Sequence, residues 1–331
     1  MPPLLNLLTD INGVSVGHAT DMSLGSGVTA IVFAEPATAS GSVLGGAPGG
    51  RDTTLLDPAM TVETVDAFVL SGGSAFGLDA AGGVQAGLRA IGRGFQVGNV
   101  RVPIVPQAIL MDLLNGGNKN WGLQSPYRDM GYAAFEAAAT GPFSLGTVGA
   151  GTGATTATLK GGLGSASAVS SGGFKIAAIA AVNAMGSATV GSSGRFWAAP
   201  FEQQGEFGGR GYPPQFSPAD TGLRIKGIDL TATTIGAVVT DAVLTKAQAH
   251  RLSIMAHDGL ARAVLPAHLP SDGDTIFAAA TNAKALNGPA DFMELCHLAT
   301  VVMARAIARG VYEASALPCP GAQPAWRDRF G

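Results

Sequence analysis

The chain has 331 residues, of which 48 are glycine and 13% are charged, and its formal net charge is −3 at pH 7. This length can bury a sizeable core in one large or two modest domains, and the charge balance excludes the basic surface of nucleic-acid-binding proteins. Two cysteines exclude a disulfide framework, and neither a signal peptide nor a membrane span is predicted. We therefore expect a cytoplasmic protein without nucleic-acid or membrane partners. The small share of charged residues favours a homo-oligomer with large buried faces.

The first third of the chain predicts a strand that turns sharply into a helix. Residues 65–70 are apolar and β-branched, Gly72 and Gly73 permit a tight turn, and a helix follows over 74–91, with Ser74 as its cap. This context resembles the nucleophile elbow of α/β-hydrolases, with Ser74 as nucleophile. The elbow needs glycine two residues after the serine, where this chain has Phe76. Beyond it, the composition predicts a short helix over 108–114.

The middle of the chain is rich in glycine and ends in a strand. Its Gly149-x-Gly151-x-Gly153 pattern lacks both a Gly-Lys-Ser/Thr ending and G-x-G-x-x-G spacing, so a nucleotide loop is not predicted. Lys160 follows this pattern, and a surface position is its simplest interpretation. Residues 174–182 predict a buried strand that ends at Asn183, where asparagine ordinarily forms a turn.

The stretch over 227–242 combines threonines with a buried strand. Thr233 would lie at the mouth of that strand, and threonine alone is a weak nucleophile. If the preceding peptide bond were cut, an α-amine with a pKa of roughly 7.7–8 would lie beside the hydroxyl. Nucleophile and base would then belong to one residue. The structural alternative is that threonines simply favour strands.

The last third predicts two helices separated by an acidic turn. Thr245 caps a helix that extends to Leu265, and His250 and His257 on that helix lack a third metal ligand. Asp272 and Asp274 flank a glycine beside a strand, which by itself indicates a solvated turn. Residues 289–314 predict a core helix, and the proline-rich tail from Leu317 onwards is predicted to be loose.

Six segments, in order along the chain, resemble the P1 family of self-cleaving hydrolases. This family comprises L-aminopeptidase/D-Ala-esterase-amidases, β-peptidyl aminopeptidases and nylon-oligomer hydrolases, and it shares its fold with ornithine acetyltransferase. One such motif would be weak, but six with compatible spacing are specific. They are TDINGVSVGH at 9–18, LSGGSAFGL at 70–78, GAGTGA at 149–154 with Lys160, VNAMG at 182–186, TTIGAVVTDA at 233–242 and SDGDTIF at 271–277.

The resemblance implies a fold and a set of site residues. It implies an α/β protein with a four-layer αββα sandwich, of the non-classical N-terminal-nucleophile type, and a substrate pocket lined by the turn that holds Gly72, Gly73 and Phe76. The nucleophile implied is Thr233, with Lys160 as a cation near its amine. The amide of Asn183 would donate to the oxyanion, and the carboxylates of Asp272 and Asp274 would orient the nucleophile. Relatives carry Tyr at the position of Phe76, so the hydrogen bond that the tyrosine hydroxyl would donate is in question. They carry Gly or Asn at the position of Ala232, so the efficiency of maturation is also in question.

These observations predict a single domain over 1–331 that cuts itself between Ala232 and Thr233 into fragments 1–232 and 233–331. The mature enzyme would hydrolyse small peptides, β-peptides or ω-amino acid amides without a cofactor or metal. The family commonly forms tetramers of the processed unit. Three alternatives stay open: an acyltransferase of the ornithine acetyltransferase type, a non-catalytic protein that never matures, and a serine hydrolase that uses Ser74.

Overall fold

A mixed β-sheet of nine strands forms the centre of the structure, a computed structural model that describes residues 4–227 and 232–331. The strand order is β3-β7-β4-β2-β11-β10-β9-β8, with β1 beside β2, and β5 and β6 form a separate hairpin. The strands are β1 (Val14–Asp21), β2 (Ser26–Val43), β3 (Gly50–Arg51), β4 (Thr64–Ser71), β5 (Phe95–Val97), β6 (Val100–Val102), β7 (Gln107–Ile109), β8 (Leu163–Val169), β9 (Lys175–Asn183), β10 (Thr233–Ala242) and β11 (Thr275–Lys284). The α-helices are α1 (Ala80–Ala90), α2 (Tyr127–Glu136), α3 (Pro218–Thr221), α4 (Lys246–Ala263), α5 (Pro289–Tyr312) and α6 (Trp326–Phe330).

The long strand β2 divides the sheet into two layers that pack face to face. Its first half pairs with β1 and β4, and its second half pairs with β11. Between the layers, Phe68 of β4 stacks on Phe277 of β11 with ring centroids 4.7 Å apart. One continuous hydrogen-bonded sheet thereby supplies both inner layers.

Alternating residues of each strand face different layers, as the two-residue period of a strand requires. In β10, Ile235, Ala237 and Val239 join the core between the two sheet layers, whereas Val238 packs with helices α4 and α5. Helices α1 and α2 cover the opposite outer face, where β4 contributes Val69. The predicted four-layer αββα arrangement is confirmed. It also explains why β9 and β10 are apolar on both faces.

The two long helices begin and end close to their predicted bounds. Thr245 caps α4 by accepting a hydrogen bond from the backbone N–H of Gln248. Helix α5 has the length and mean hydropathy of a membrane span, but 78% of its apolar window is buried inside the protein. The apolar character of α5 is therefore accounted for by packing against α4, β8 and β9.

Three sequence-based predictions are wrong. No helix forms over 108–114, because Asp112 turns inward and is held by the Ser26 hydroxyl and the Gly73 N–H. Ser74 makes no capping hydrogen bond; Gly73 is the residue that precedes the 3₁₀ turn leading into α1. The tail is ordered rather than loose, since Trp326 is buried beneath Phe196 and donates to the Gly194 carbonyl.

Candidate active site

The peptide bond before Thr233 lies where three elements of the sheet meet. Thr233 is the first residue of β10 and is only 4% exposed. On one side it pairs with Asn183, the last residue of β9, and on the other side Ala232 bridges to Asp272, just before β11. Three of the predicted site residues therefore converge with Thr233 because their strands begin or end at this edge of the sheet.

The carbonyl of Ala232 accepts two hydrogen bonds in the uncleaved chain. The Thr233 hydroxyl donates to this oxygen over 2.5 Å, and the Gly273 N–H donates to it over 2.9 Å. A backbone N–H aimed at a carbonyl oxygen is the geometry that stabilises negative charge when that carbonyl is attacked. The sequence analysis missed Gly273 in this role, although it lies between the two predicted aspartates.

Gly273 also determines how closely the acidic turn approaches Thr233. A Cβ atom added at Gly273 would lie 2.7 Å from the Thr233 hydroxyl and 2.6 Å from the Ala47 carbonyl oxygen. Both separations are well below van der Waals contact. Only glycine lets this turn, the loop at Ala47 and the threonine occupy neighbouring positions.

The two aspartates hold the backbone around Thr233. Asp274 accepts a hydrogen bond from the Thr234 N–H (2.8 Å) and binds the ring and the backbone N–H of His268. Asp272 accepts from the backbone N–H groups of Met185 (3.0 Å) and Leu269 (3.1 Å). Neither carboxylate forms a hydrogen bond with a described atom of Thr233 in the uncleaved chain.

Burial and a neighbouring charge change the acidity of Asp272. Burial raises its pKa to about 6, and the nearby Asp274 carboxylate acts in the same direction. The two backbone N–H donors and Lys226 oppose this increase. With a pKa of about 6, the Asp272 carboxyl gains and loses a proton close to neutral pH.

The amide of Asn183 is fixed by four hydrogen bonds. Its NH₂ group donates to the Met111 carbonyl over 2.9 Å. Its oxygen accepts from the Thr155 N–H (3.0 Å), the Asn115 amide (3.2 Å) and the Lys226 ammonium (2.8 Å). These donors determine which end of the amide is oxygen and leave one N–H of the NH₂ group for another acceptor.

Lys160 is buried rather than on the surface, with 1% exposure. Its ammonium donates to the carbonyls of Gly151 (3.0 Å) and Gly161 (2.8 Å) and forms no hydrogen bond with Thr233. Burial lowers its pKa to about 7, partly opposed by the Asp112 carboxylate. A lysine of this kind can lose its proton near neutral pH.

Lys226 is a second such lysine that the sequence analysis missed. Besides the Asn183 side chain, it donates to the Asn183 backbone carbonyl over 3.1 Å. Burial lowers its pKa to about 7, aided by the charge of Lys160 and opposed by Asp272 and Asp112. No motif surrounds Lys226 in the sequence, so only the fold reveals its contact with Asn183.

The turn after β4 supports one wall of this region. Gly73 has φ of +87°, and a Cβ there would overlap the Tyr127 ring, whereas one at Gly72 would overlap the Asp112 carboxylate. Phe76 is 54% exposed and meets Trp121 edge to face at 5.5 Å. The glycines are required by packing, and the role of Phe76 towards substrate stays a prediction.

A cavity of about 300 Å³ opens beside the Asn183 amide. It is lined by Leu114, Asn115, Thr155, Lys226 and the loop over 320–323. Three of its lining residues, Asn115, Thr155 and Lys226, bond Asn183, the residue of β9 that pairs with Thr233.

Comparison with known proteins identifies relatives over nearly the whole chain. The model of peptidase family S58 matches residues 6–323. An uncharacterised aminopeptidase of Mycobacterium tuberculosis is 41% identical over 98% of each chain.

Two solved structures share the fold. A β-aminopeptidase of Burkholderia sp. has a TM-score of 0.72 at 23% identity, covering 98% of this chain and 91% of that one. The L-aminopeptidase/D-Ala-esterase/amidase of Ochrobactrum anthropi, described as a variant of the Ntn hydrolase fold, has a TM-score of 0.68 at 19% identity over 95% and 88% of the two chains.

Proposed function

The chain belongs to peptidase family S58 and is a hydrolase of peptide or amide bonds, and from this premise we propose that it matures by cutting itself between Ala232 and Thr233. The observation that carries this proposal is the geometry at the bond itself. The Thr233 hydroxyl lies 2.5 Å from the Ala232 carbonyl oxygen, and the Gly273 N–H already donates to that oxygen.

Maturation proceeds through an N-to-O acyl shift. The Thr233 hydroxyl attacks the Ala232 carbonyl carbon, its proton passes to the Thr233 nitrogen, and the C–N bond breaks, so that an ester and a free α-amine replace the amide. Water then hydrolyses the ester, leaving a carboxylate on Ala232 and a free hydroxyl on Thr233. During the attack, the Gly273 N–H stabilises the negative charge on the oxygen.

The mature enzyme uses the same threonine on its substrate. The Thr233 amine accepts the hydroxyl proton as the oxygen attacks the substrate amide, an acyl-enzyme forms, and the amine of the leaving group departs with a proton. Water then releases the acyl group. Asn183 and the Gly273 N–H stabilise the oxyanion, and Asp272 and Asp274 hold the segment that carries the nucleophile. Lys160 favours the unprotonated amine when its own ammonium group is protonated.

The substrates we propose are small peptides and amides with a free amino group, including β-peptides and ω-amino acid amides. The two structural neighbours are named β-aminopeptidase and L-aminopeptidase/D-Ala-esterase/amidase, and these names cover part of this range. We also propose that the enzyme is cytoplasmic and oligomeric. The low share of charged residues and the exposed apolar side chains Phe95 and Val97 of the β5–β6 hairpin support an oligomer.

The test is a denaturing gel of the wild type and Thr233→Ala, followed by N-terminal sequencing of the smaller band. We expect wild type to yield a fragment that begins Thr233-Thr234-Ile235, Thr233→Ala to stay intact and inactive, and Thr233→Ser to be cut. Ser74→Ala is the matched control and should mature normally. A wild-type chain that stays intact during long incubation would contradict the proposal and favour a protein that never matures.

A further inference from the structure

Four arginines line one cavity on the side of the molecule where α1 and α2 pack. The cavity has a volume of about 470 Å³, and Arg51, Arg89, Arg101 and Arg128 contribute to its wall together with one acid, Asp79. From this arrangement we infer a binding site for a small organic anion that carries at least two negative charges, such as a phosphate ester or a polycarboxylate.

The fold brings these arginines together from four separate elements. Arg51 belongs to β3, Arg89 to the last turn of α1, Arg101 to β6 and Arg128 to the first turn of α2. Within α1, the lining residues Gly82, Gln85, Ala86 and Arg89 are three or four positions apart and so share one face of the helix. No sequence motif could reveal this site, because its members are scattered over most of the first half of the chain.

Gly82 lies at the point where two of the guanidinium groups converge. A Cβ added there would lie 3.5 Å from an Arg51 Nη atom and 3.6 Å from an Arg128 Nη atom. Because Gly82 has no side chain, the space between the two groups is open. Arg51 is held in place by Gln85 (2.7 Å), whose amide in turn donates to the Pro103 carbonyl (3.0 Å).

The four guanidinium groups give the cavity a positively charged wall with many N–H donors. Within residues 4–227 and 232–331, Arg89, Arg101 and Arg128 form no ion pair with a carboxylate. Asp79, the acid in this wall, accepts a hydrogen bond from Ser125. An anion between the guanidinium groups would remove their mutual repulsion and form the paired hydrogen bonds that arginine makes with phosphate or carboxylate.

The remaining wall of the cavity indicates the chemical character of the rest of the ligand. Val100, Val102 and Pro103 line it beside the arginines. A ligand with an anionic end and an apolar body fits this division, and the volume lies within the usual range for small-molecule sites.

The experiment is calorimetric titration of the intact chain with inorganic pyrophosphate, followed by citrate and by ATP. We expect saturable binding of pyrophosphate that weakens as salt is added. Wild type and Thr233→Ala should bind alike, so the result does not depend on the proposed self-cleavage. Pyrophosphate and ATP binding without citrate binding would indicate a phosphate ester, whereas binding of all three would indicate a general polyanion site.

Variants separate this site from nonspecific attraction. Arg89→Gln and Arg128→Gln alter exposed side chains and should each weaken binding about tenfold, the size expected for one charge-assisted contact. Arg251→Gln, an exposed arginine on α4, is the matched control and should bind as wild type does. Gly82→Glu places a tethered carboxylate in the cavity, and it should weaken pyrophosphate binding and raise the unfolding temperature relative to Gly82→Gln. No saturable binding at millimolar pyrophosphate, or equal effects of Arg89→Gln and Arg251→Gln, would overturn the inference.

Discussion

Two lysines near Asn183, the buried Lys160 and the half-buried Lys226, are the most unusual residues of the candidate site. Lys160 bonds only backbone carbonyls, and Lys226 bonds only Asn183, so neither ammonium has a carboxylate within hydrogen-bonding distance among the described residues. Burial without such a partner favours the neutral form of a lysine. Both lysines therefore have a pKa of about 7 instead of the ordinary value of 10.5.

These lysines should make stability rise with pH above neutrality. Between pH 7 and 10 the unfolded chain binds more protons than the folded chain, so the free energy of unfolding increases with pH; below about pH 7 both states are protonated and the dependence disappears. For Lys160 the slope is at most about 1.4 kcal/mol per pH unit. Urea unfolding of Thr233→Ala at pH 7, 8 and 9 measures it. Lys160→Met should flatten the curve, and Lys284→Met, on the distant end of β11, should not.

Replacing Lys226 should slow hydrolysis without changing substrate binding to the same extent. Among the described residues, Lys226 is the charged donor to the Asn183 amide oxygen. Lys226→Met removes it, so the amide that we propose to stabilise the oxyanion is less firmly oriented. Loss of a hydrogen bond from a charged group predicts a decrease in kcat of about 10- to 100-fold, with a smaller change in KM. Lys226→Arg keeps a donor and should recover part of the rate. A variant Lys226→Met with wild-type kcat would exclude this role.

The segments that could be predicted from sequence are those with an uninterrupted local pattern. These segments are β9, β10, α4 and α5, each an apolar run bounded by recognisable turn or capping residues. The site motifs lie at their ends. The neighbours of Asp112 are good helix formers and predict a helix, but the hydrogen bonds of Asp112 with Ser26 and Gly73 determine the local structure. Lys226 and His268 were missed for the same reason, since each matters through a partner that is distant in sequence.

At the scale of elements, the site depends on β10 having neighbours on both sides. β9 supplies Asn183 opposite Thr233, and the turn before β11 supplies Gly273 and both aspartates. The antiparallel pairing with β9 and the parallel pairing with β11 place the end of one strand beside the starts of two others. Residues far apart in the chain thereby reach the same edge of the sheet.

Gly273→Ala should block maturation. Its methyl group would lie 2.7 Å from the Thr233 hydroxyl and 2.6 Å from the Ala47 carbonyl, so either the turn or the threonine must move. On a denaturing gel the variant should remain mostly uncut while the wild type is processed. Gly288→Ala is the matched control, because a Cβ there meets nothing within 4 Å. Normal cutting of Gly273→Ala would show that the close approach of this turn is unnecessary.

At the scale of the molecule, the proposed cut falls between elements that remain interleaved. The segment after Thr233 contributes β10 and β11 to the middle of the sheet, where β10 pairs with β9 and β11 pairs with β2. Helix α5 packs on β8 and β9 from the segment before the cut. Backbone hydrogen bonds and packing in the hydrophobic core therefore both connect the two fragments.

We therefore expect fragments 1–232 and 233–331 to stay together after cleavage. Native size-exclusion chromatography of processed wild type should give a single peak containing both fragments, at the elution volume of intact Thr233→Ala. The fragments should separate only in denaturant. Separate elution under native conditions would show that the peptide bond itself holds the layers together.

The position of Gly273 and Asp274 beyond Thr233 in the chain has a consequence for protein synthesis. Under the proposed chemistry, a ribosome that has just added Thr233 has produced neither the N–H that supports the attack nor the carboxylate that holds Thr234. The ribosome adds roughly 5–20 residues per second, so translation must continue for a few seconds before these groups exist, and β11 must then pair with β2 and β10. Activation thus waits for the fold to close, and a nascent or misfolded copy carries no active nucleophile with which to damage other polypeptides in the cell.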